Sequence, residues 1–486
     1  MRRLGLLVFL LGGCSLEPKY VAPIPAIAAG WPIHDARLLA SETSLARLAH
    51  DEVFLDPRLR QLIAQSLANN QDVREAIANI EAARGLFQVQ RSGLLPTVGG
   101  VATASFRAQP FSSGNSSSSS NETGSPPGPG SATTTPANSS SSRTLSTYYS
   151  ADVGASAFEI DLFGRVRSLS NAALNSFFAS EAAARATRLT LVGDVARTWF
   201  SYANDLSLLH ISEQTVATAR QSERITKLRL DGGVAPRTDL RQAQTVRATA
   251  EADLANLTAL VEQDRNALVL LAGGPVTDSQ LPASIEEAEA TTAVPAAGLD
   301  SSILLRRPDV VEAEFRLRSV NASIGAVRAA FFPRISLTGL AGLASGGLTS
   351  LLSGKAFSAA LTPSVWIPVF GGTNRGNLAY AQAQREGAVA TYEKALQGAF
   401  RDVANSLARR ATVDRQVTAD EELVAAAQDT ARLTDARYRG GIDTYLTTLD
   451  AQRSLYAARR ALAAARLSRA QSVVALYTAL GGDPTL

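Results

Sequence analysis

Four short segments of the chain alternate between apolar and polar side chains, which is the pattern of a β-strand with two different faces. In the clearest of them Tyr149, Ala151 and Val153 interleave with Ser150 and Asp152. The four segments are residues 97–106, 149–157, 335–343 and 357–367. The pattern therefore predicts two pairs of strands, one pair in each half of the chain.

Apolar residues at three- and four-residue spacing predict helices elsewhere. Two of these helices, 59–91 and 304–330, stop just before Pro96 and Pro333, because proline cannot continue a helix. Proline-free stretches rich in Ala, Leu, Arg and Glu predict two long helices of about 100 Å each, at a rise of about 1.5 Å per residue. The two long helices are predicted over 165–230 and 374–438. A shorter helix returns from each of them, over 236–271 and 444–480.

The same landmarks recur in both halves at a constant spacing of 208 positions, which identifies an internal duplication. The landmarks are pairs of glycines: Gly232-Gly233 and Gly440-Gly441 after the long helices, and Gly273-Gly274 and Gly481-Gly482 after the returning helices. A duplicated unit argues for one elongated body rather than several ordinary domains. Each half should contain a helix, two strands, a long helix and a returning helix.

Four strands are too few to close a β-barrel within one chain. Each segment is about as long as a tilted membrane strand, which needs roughly 9–11 residues. An open sheet in lipid would leave unpaired backbone groups at its edges, so several copies would have to complete one barrel. Two alternatives stay open: the strands could form a small soluble sheet, and residues 335–352 could form a membrane-spanning helix, although their glycines and serines disfavour it.

A low-complexity segment, residues 107–143, interrupts the first pair of strands. It contains the serine run Ser116–Ser120 and the run Pro126-Pro127-Gly128-Pro129. Such a composition cannot bury enough apolar surface to order a core. We therefore expect a disordered loop there, between the two strands of one hairpin.

Composition excludes several classes of function. A net charge of +3 over 486 residues gives no basis for a nucleic-acid partner. A single cysteine, Cys14, and three scattered histidines argue against disulfides and metal sites. The chain has neither a Ser/His/Asp order nor a phosphate-binding loop. We expect no enzyme, no cofactor and no metal.

The N-terminus has the layout of a lipoprotein signal. A basic start, residues 1–3, precedes an apolar stretch, residues 4–11, that is too short to span a bilayer. Small residues and Cys14 follow, so we expect cleavage before Cys14 and attachment of lipid to its sulfur. Ser15 fits sorting to the outer membrane, and the proline-punctuated segment 17–25 predicts an extended strap. The alternative is a buried cysteine at the end of a membrane anchor.

These features divide the chain into four parts. We assign them as a signal peptide, 1–13; a lipid anchor, strap and N-terminal segment, 14–58; a first repeat, 59–297; and a second repeat, 298–486. The predicted fold class is mainly α with a membrane β-barrel, built from a duplicated unit of a strand hairpin plus long helices.

The most specific motif is Arg-Tyr-Arg-Gly-Gly-Ile-Asp at 437–443, followed by Tyr-Leu at 445–446 and Leu-Asp-Ala-Gln-Arg at 449–453. Together with the lipoprotein signal, the strap, the duplicated plan and the closing Leu-Tyr-Thr-Ala-Leu-Gly-Gly of 476–482, it resembles the TolC-like outer-membrane factors. The closest fit is the NodT family of lipid-anchored efflux lipoproteins. The resemblance covers essentially the whole mature chain.

The resemblance implies a homotrimer whose strands close a twelve-stranded barrel in outer-membrane lipid, continued by a helical tunnel through the periplasm. Such proteins are exit ducts of tripartite efflux pumps. Their partners are a periplasmic adaptor, also called a membrane fusion protein, and an inner-membrane RND-type transporter. A lipid-anchored periplasmic coiled-coil scaffold or adaptor without a pore is the alternative, but it leaves the four strands without a purpose.

The resemblance also implies a gate near the periplasmic end. Asp450 would form a ring of carboxylates that constricts the tunnel, and Arg439 would supply the basic partner that like charges need. Tyr438 and Leu446 of the same block are assigned to this gate. The best-known member of the family has two aspartates three residues apart, whereas this chain has Thr447 before Asp450. A solvated aspartate on a charged helix is the alternative.

The glycine turns should lie at the periplasmic tips and contact the adaptor. Glycine permits the left-handed backbone at a helix end, and Pro236 and Asp443 suit the start of the returning helices. The alternative is that the glycines only make turns. The residues assigned to contact with the adaptor are Gly232, Gly233, Gly440 and Gly441.

Overall fold

A computed structural model of the chain describes residues 15–23, 27–28, 31, 49–109, 144–294, 301–352 and 356–482. Cys14 and the predicted signal peptide lie outside the described residues. The chain divides into two compact units. The sheet unit is built from Gln88–Ser168 and Gly325–Gly376, and the helical unit from Glu17–Phe87, Leu169–Ile324 and Asn377–Leu486.

The helices follow the predicted order in each half. Those of the first half are α1 His50–Val53, α2 Pro57–Asn69, α3 Gln71–Ser92, α4 Arg165–Asp231, α5 Arg237–Ala272 and α6 Ile285–Ala290. Those of the second half are α7 Pro308–Ala329, α8 Thr373–Arg439 and α9 Tyr445–Ala479. The long helices α4 and α8 contain 67 residues each. The predicted long and returning helices are confirmed to within two residues at each end.

Four antiparallel strands form one sheet in the order β1-β2-β3-β4. They are β1 Val98–Gln109, β2 Thr144–Ile160, β3 Arg334–Ser345 and β4 Phe357–Trp366. The four predicted strands are confirmed, and the alternative of a helix over 335–352 is wrong because β3 occupies most of it. The predicted loop 107–143 also starts too early, since β1 continues to Gln109; residues 110–143 lie outside the described residues.

None of the helices in the described residues is both long enough and apolar enough to cross a membrane.

The two halves of the chain meet where β2 pairs with β3. A Cβ atom on Gly154 would lie 2.0 Å from the carbonyl oxygen of Gly339, so only glycine permits this approach of the two backbones. The register then shifts between Ala155 and Phe158, which is a β-bulge. β1 and β4 each pair on one side only and form the two edges of the sheet.

The helices predicted over 59–91 and 304–330 are each broken, so their predicted extents are wrong. Asn70 has an extended backbone with ψ 137°. Its side-chain oxygen accepts a hydrogen bond of 2.8 Å from the Asp72 amide and caps α3. In the second half α7 starts at Pro308, because proline suits the first helical position and disfavours helix in the residue before it. The two breaks lie at equivalent positions of the duplication.

The helical unit contains two large clusters of buried apolar side chains. The first joins α2, α4, α5 and α9 around Trp199, Phe200 and Tyr477, which are fully buried. The Trp199 indole N–H donates to the Gln280 carbonyl at 3.0 Å, so the buried ring keeps its donor satisfied. The second cluster joins α7, α8 and α9 around Leu317. Because α9 contributes to both clusters, the two halves share their core.

Residues 17–23 have no regular secondary structure and are held against α7. The Asn321 side chain donates to the Pro18 carbonyl at 2.8 Å. The Tyr20 hydroxyl donates to Glu314 at 3.3 Å, and the Arg318 guanidinium lies 4.8 Å from the centre of the Tyr20 ring. Side chains of the second half therefore fasten the N-terminal strap.

Two carboxyl groups interact between α4 and α5. Burial and the neighbouring Asp205 carboxylate raise the pKa of Asp264 to about 6. One carboxyl oxygen of Asp264 is buried and lacks a hydrogen-bond partner among the described residues. Burial also raises the pKa of Asp205, although the Asn204 amide donates to its carboxylate at 2.8 Å. The ionised form of Asp264 therefore destabilises the fold.

We predict that Asp264→Asn stabilises the protein in a pH-dependent way. The group has a pKa near 3.9 in an unfolded chain and about 6 in the folded one, so wild-type stability falls as pH rises between these values and stays lowered above them. The variant should therefore unfold at a higher temperature than wild type near pH 7.5, and the difference should vanish near pH 4. Thermal unfolding followed by circular dichroism measures this.

The matched control is Asp429→Asn, which changes an exposed carboxylate on α8 and should leave the unfolding temperature unchanged at either pH. A stabilisation by Asp264→Asn that was the same at both pH values would contradict the assignment.

Candidate functional site

Both long helices end in the same glycine turn. Gly233 and Gly441 have φ values of 74° and 73°, a region that favours glycine. The residue after each of them donates its amide to the carbonyl five residues earlier, at 2.9 Å in both turns. This is the Schellman motif, which satisfies carbonyls at a helix end. The structure thus places four predicted residues in the turns: Gly232, Gly233, Gly440 and Gly441.

The returning helices start one residue later than predicted. Pro236 is the N-cap of α5, with an extended backbone. Thr444 is the N-cap of α9, so the placing of Asp443 at the helix start is wrong. The Asp443 carboxylate instead accepts two hydrogen bonds from the Arg437 guanidinium, at 2.6 and 3.0 Å. These bonds lower the pKa of Asp443 and raise that of Arg437.

A small apolar cluster lies beside the second turn; we call it the tip cluster, and it consists of Ala243, Tyr438, Tyr445 and Leu449. The two tyrosine rings have their centres 5.4 Å apart. Burial raises the pKa of Tyr445 to about 12. The Tyr438 hydroxyl is buried and has no hydrogen-bond partner among the described residues. The side chains of the cluster therefore hold one another by packing.

Arg229 joins the two tips of one chain, and sequence reasoning missed it. Its guanidinium lies 4.3 Å from the centre of the Tyr438 ring. Its Nη2 atom donates to the carbonyls of Tyr438 and Arg439, each at 3.0 Å. The arginine thus caps the end of α8 from the other half of the chain. The one signal for it was its position, equivalent to Arg437 in the duplication.

The residues predicted to form the gate are only partly brought together. Asp450 and Leu446 are exposed and lie one turn apart on the same face of α9. Tyr438 is buried in the tip cluster. Arg439 pairs with Asp435 at 2.8 Å. Asp450 has no ion-pair partner among the described residues of this chain, so the structure does not bring Arg439 and Asp450 together within one copy.

The surface of the two tips combines apolar and charged side chains. Val234 and Ile442 occupy equivalent positions directly after the left-handed glycines and are 77% and 68% exposed. The Arg437–Asp443 pair is also exposed. Within the described ranges no group of three or more His, Cys, Asp or Glu side chains could hold a metal ion. An apolar patch rimmed by charge is suited to contact with another protein.

Comparison with known proteins agrees with this fold. The family model described as outer membrane efflux protein matches residues 62–274 and 299–482. The antibiotic efflux pump outer membrane protein ArpC of Pseudomonas putida is 40% identical over 483 residues, which cover 99% of this chain and 94% of that protein. The toluene efflux pump outer membrane protein TtgC, also of Pseudomonas putida, has the same identity and coverage.

A solved structure gives the same result. The open state of the Neisseria gonorrhoeae MtrE outer membrane channel superposes with a TM-score of 0.82 at 33% identity, covering 96% of this chain and 98% of that chain. The chain belongs to the outer membrane efflux protein family. The resemblance to TolC-like outer-membrane factors is thereby confirmed, and so are the fold class, the location in the bacterial outer membrane and the role as an efflux channel.

We predict that the Tyr438 ring, but not its hydroxyl, stabilises the tips. Tyr438→Ala removes the surface on which Arg229 stacks and should increase hydrogen exchange of the amides at both turns. Tyr438→Phe removes only an unpaired hydroxyl and should leave exchange unchanged or slower. Hydrogen-exchange mass spectrometry of peptides covering residues 225–240 and 434–450 measures both effects.

The matched control is Tyr380→Ala, which removes an exposed tyrosine from the same helix α8 and should not affect the tips. Faster exchange in Tyr438→Phe, equal to that of Tyr438→Ala, would show that the hydroxyl is bonded and would refute the prediction.

Proposed function

We propose that the protein is the exit duct of a tripartite efflux pump and works as a homotrimer. Three copies would close a twelve-stranded barrel in outer-membrane lipid, and their helical units would form the periplasmic tunnel. A periplasmic adaptor, or membrane fusion protein, would join the tips to an inner-membrane RND-type transporter. Small molecules would pass from the periplasm or the transporter to the outside. The observation that carries this proposal is the open four-stranded sheet.

The edges of the sheet support assembly from several copies. β1 and β4 each have a partner strand on one side only. In hydrocarbon each unpaired N–H or C=O group costs several kcal/mol, so an open sheet is unstable there. Pairing β4 of one copy with β1 of the next removes both edges, and twelve strands then close into a barrel wide enough for a channel.

The side chains of β4 support a lipid-facing sheet. Phe357, Leu361 and Val365 lie on one face of the strand and are 69%, 72% and 57% exposed in a single chain. Ser358 and Thr362 lie on the opposite face. An apolar outer face and a polar inner face are what a transmembrane strand needs.

Apolar side chains next to the sheet support the same assembly. Within one chain the Phe163 ring stacks on the Phe332 ring, with their centres 4.7 Å apart. The equivalents of these residues in the duplication are Phe370 and Leu95. Phe370 is fully exposed and Leu95 is 71% exposed. A neighbouring copy that repeated the contact between the halves would cover both of them.

The tips support binding of an adaptor and a gate. The exposed Val234 and Ile442 would contact the adaptor together with the four turn glycines. The exposed Asp450 and Leu446 face away from the packed side of α9. Three copies could therefore bring their three Asp450 carboxylates close to one axis. Such a ring repels itself unless cations or Arg439 of a neighbouring copy neutralise it. Tyr438 would hold the helix ends that move when the ring widens.

We predict that Asp450→Ala raises the single-channel conductance of the purified protein in planar lipid bilayers. Wild type should show a small conductance that added divalent cations reduce further, because they bind the carboxylate ring. The variant should conduct more and lose the cation block. The matched control is Glu422→Ala, which removes an exposed carboxylate from α8 and should behave as wild type.

Three outcomes are distinguishable in that experiment. A higher conductance without cation block would support the carboxylate ring. Stable pores that Asp450→Ala does not change would keep the duct and place the gate elsewhere. An absence of pores from protein shown to be trimeric would overturn the duct and favour a lipid-anchored scaffold.

We also predict that the mature protein begins at an acylated Cys14. The signal pattern supports this, and so does the position of Glu17–Pro23 against the helical unit directly after it. Mass spectrometry of the N-terminal peptide from protein purified out of membranes should give Cys14 with attached fatty acids. A peptide that retains residues 1–13, or an unmodified cysteine, would contradict the anchor.

A further inference from the structure

Two arginines occupy equivalent positions at the tips but bind different partners. Arg229 and Arg437 each lie two residues before the last residue of a long helix, 208 positions apart. Arg229 donates to the last two carbonyls of α8, those of Tyr438 and Arg439, at 3.0 Å each. The carbonyls at a helix end carry partial negative charge and need donors, so this contact ties the first half of the chain to the second.

Arg437 does not make the corresponding contact within its own chain. It binds Asp443 instead, and its side chain is 55% exposed. The carbonyls it would need, by the duplication, are those of Leu230 and Asp231 at the end of α4. Asp231 is exposed, and its carboxylate has no ion-pair partner among the described residues. The Leu230 carbonyl accepts the Gly233 amide at 2.9 Å, as the Tyr438 carbonyl accepts the Gly441 amide at 3.0 Å while it also binds Arg229. A carbonyl oxygen has two lone pairs, so the α4 end can accept an arginine in the same way.

We infer that Arg437 binds a second copy of this chain by donating to the Leu230 and Asp231 carbonyls of the neighbouring copy. In a ring of duplicated chains, the interface between the second half of one copy and the first half of the next repeats the interface between the halves of one chain. Arg437 then does between copies what Arg229 does within a copy. This inference rests on the proposed homotrimer.

The side chains at the two docking positions differ in their chemistry. Within one chain Arg229 stacks on the Tyr438 ring, which adds a cation–π attraction. The equivalent of Tyr438 is Leu230, which offers no such ring. The equivalent of Arg439, however, is Asp231, whose carboxylate attracts a guanidinium where Arg439 would repel it. The contact between copies therefore depends on a charge pair that salt weakens, whereas the contact within a copy depends on stacking.

Arg437 has two alternative acceptors, Asp443 of its own chain and the α4 end of the neighbouring copy. Arg437 binds Asp443 through Nε and Nη2, and Arg229 makes the equivalent contact through Nη2. The same edge of the Arg437 guanidinium would therefore serve either acceptor in turn. When Arg437 is bound to Asp443, the contact between neighbouring copies at the tips is absent, while Arg229 still joins the two halves of each copy. Opening of the duct therefore separates copies rather than halves.

Cysteine cross-linking in the full-length protein tests the contact directly. Asp231→Cys combined with Arg437→Cys should form a disulfide between copies and give bands of dimer and trimer mass on a denaturing gel without reductant. The equivalent pair, Arg229→Cys with Arg439→Cys, is the matched control and should close within one chain at monomer mass. Each single substitution alone should give no cross-link, which also checks that Cys14 takes no part.

The outcomes separate this inference from the proposed function. Trimers seen by mass measurement in native conditions, with no cross-link between positions 231 and 437 or a cross-link at monomer mass, would overturn the inference and keep the trimer. Protein that is monomeric in native conditions would overturn the proposed assembly itself.

Conductance distinguishes an exchange of partners from a merely structural ion pair. Arg437→Gln should raise the conductance, because the tie between copies is lost. Asp443→Asn should lower it, because Arg437 is freed for the neighbouring copy. Arg432→Gln, an exposed arginine on the same helix α8, is the control and should change nothing. A shift of both variants in the same direction would mean that the Arg437–Asp443 pair only stabilises the turn, and would contradict the inference.

Discussion

Hydrogen bonding at the two edges of the sheet is the constraint on which this architecture depends. A hairpin from each half meets the other where β2 pairs with β3, and that pairing completes all the strand contacts available within one chain. The outer edges, β1 and β4, still carry a full row of backbone donors and acceptors. A closed barrel is the arrangement of strands that satisfies them in lipid. In the proposed trimer, pairing of β4 with β1 of the next copy repeats the β2–β3 contact, so the duplication supplies this interface without a new kind of contact.

Duplication explains the shared backbone of the two tips, and divergence explains their different chemistry. Both turns have the same Schellman bonds and nearly the same positive φ at the second glycine. The side chains around them differ: a tyrosine stands at one helix end where a leucine stands at the other, and an arginine where an aspartate stands. In the proposed ring of copies, the contact of Arg229 within a copy stays fixed while the contact of Arg437 between copies exchanges partners.

Local patterns were sufficient for the strands, the long helices and the glycine turns, because period, proline and glycine act within a few residues. The break at Asn70 could not be read from periodicity, since the apolar spacing continues across it and only the side-chain cap reveals the new helix. The contact of Arg229 with Tyr438 spans 209 positions in the sequence, and no local pattern reports it. The raised pKa of Asp264 likewise arises from packing between two helices.

The N-terminal strap, residues 17–23, is held in place by side chains of α7, far along the chain. The Pro18 carbonyl accepts a hydrogen bond from Asn321, 303 positions later, and the Tyr20 hydroxyl donates one to Glu314, 294 positions later. Contacts of such separation carry a cost in loop-closure entropy, which slows their formation. During synthesis the N-terminal segment therefore has no place to dock until the second half exists. A product truncated before α7 lacks the residues that hold this segment, so its docking marks a chain that extends at least through α7.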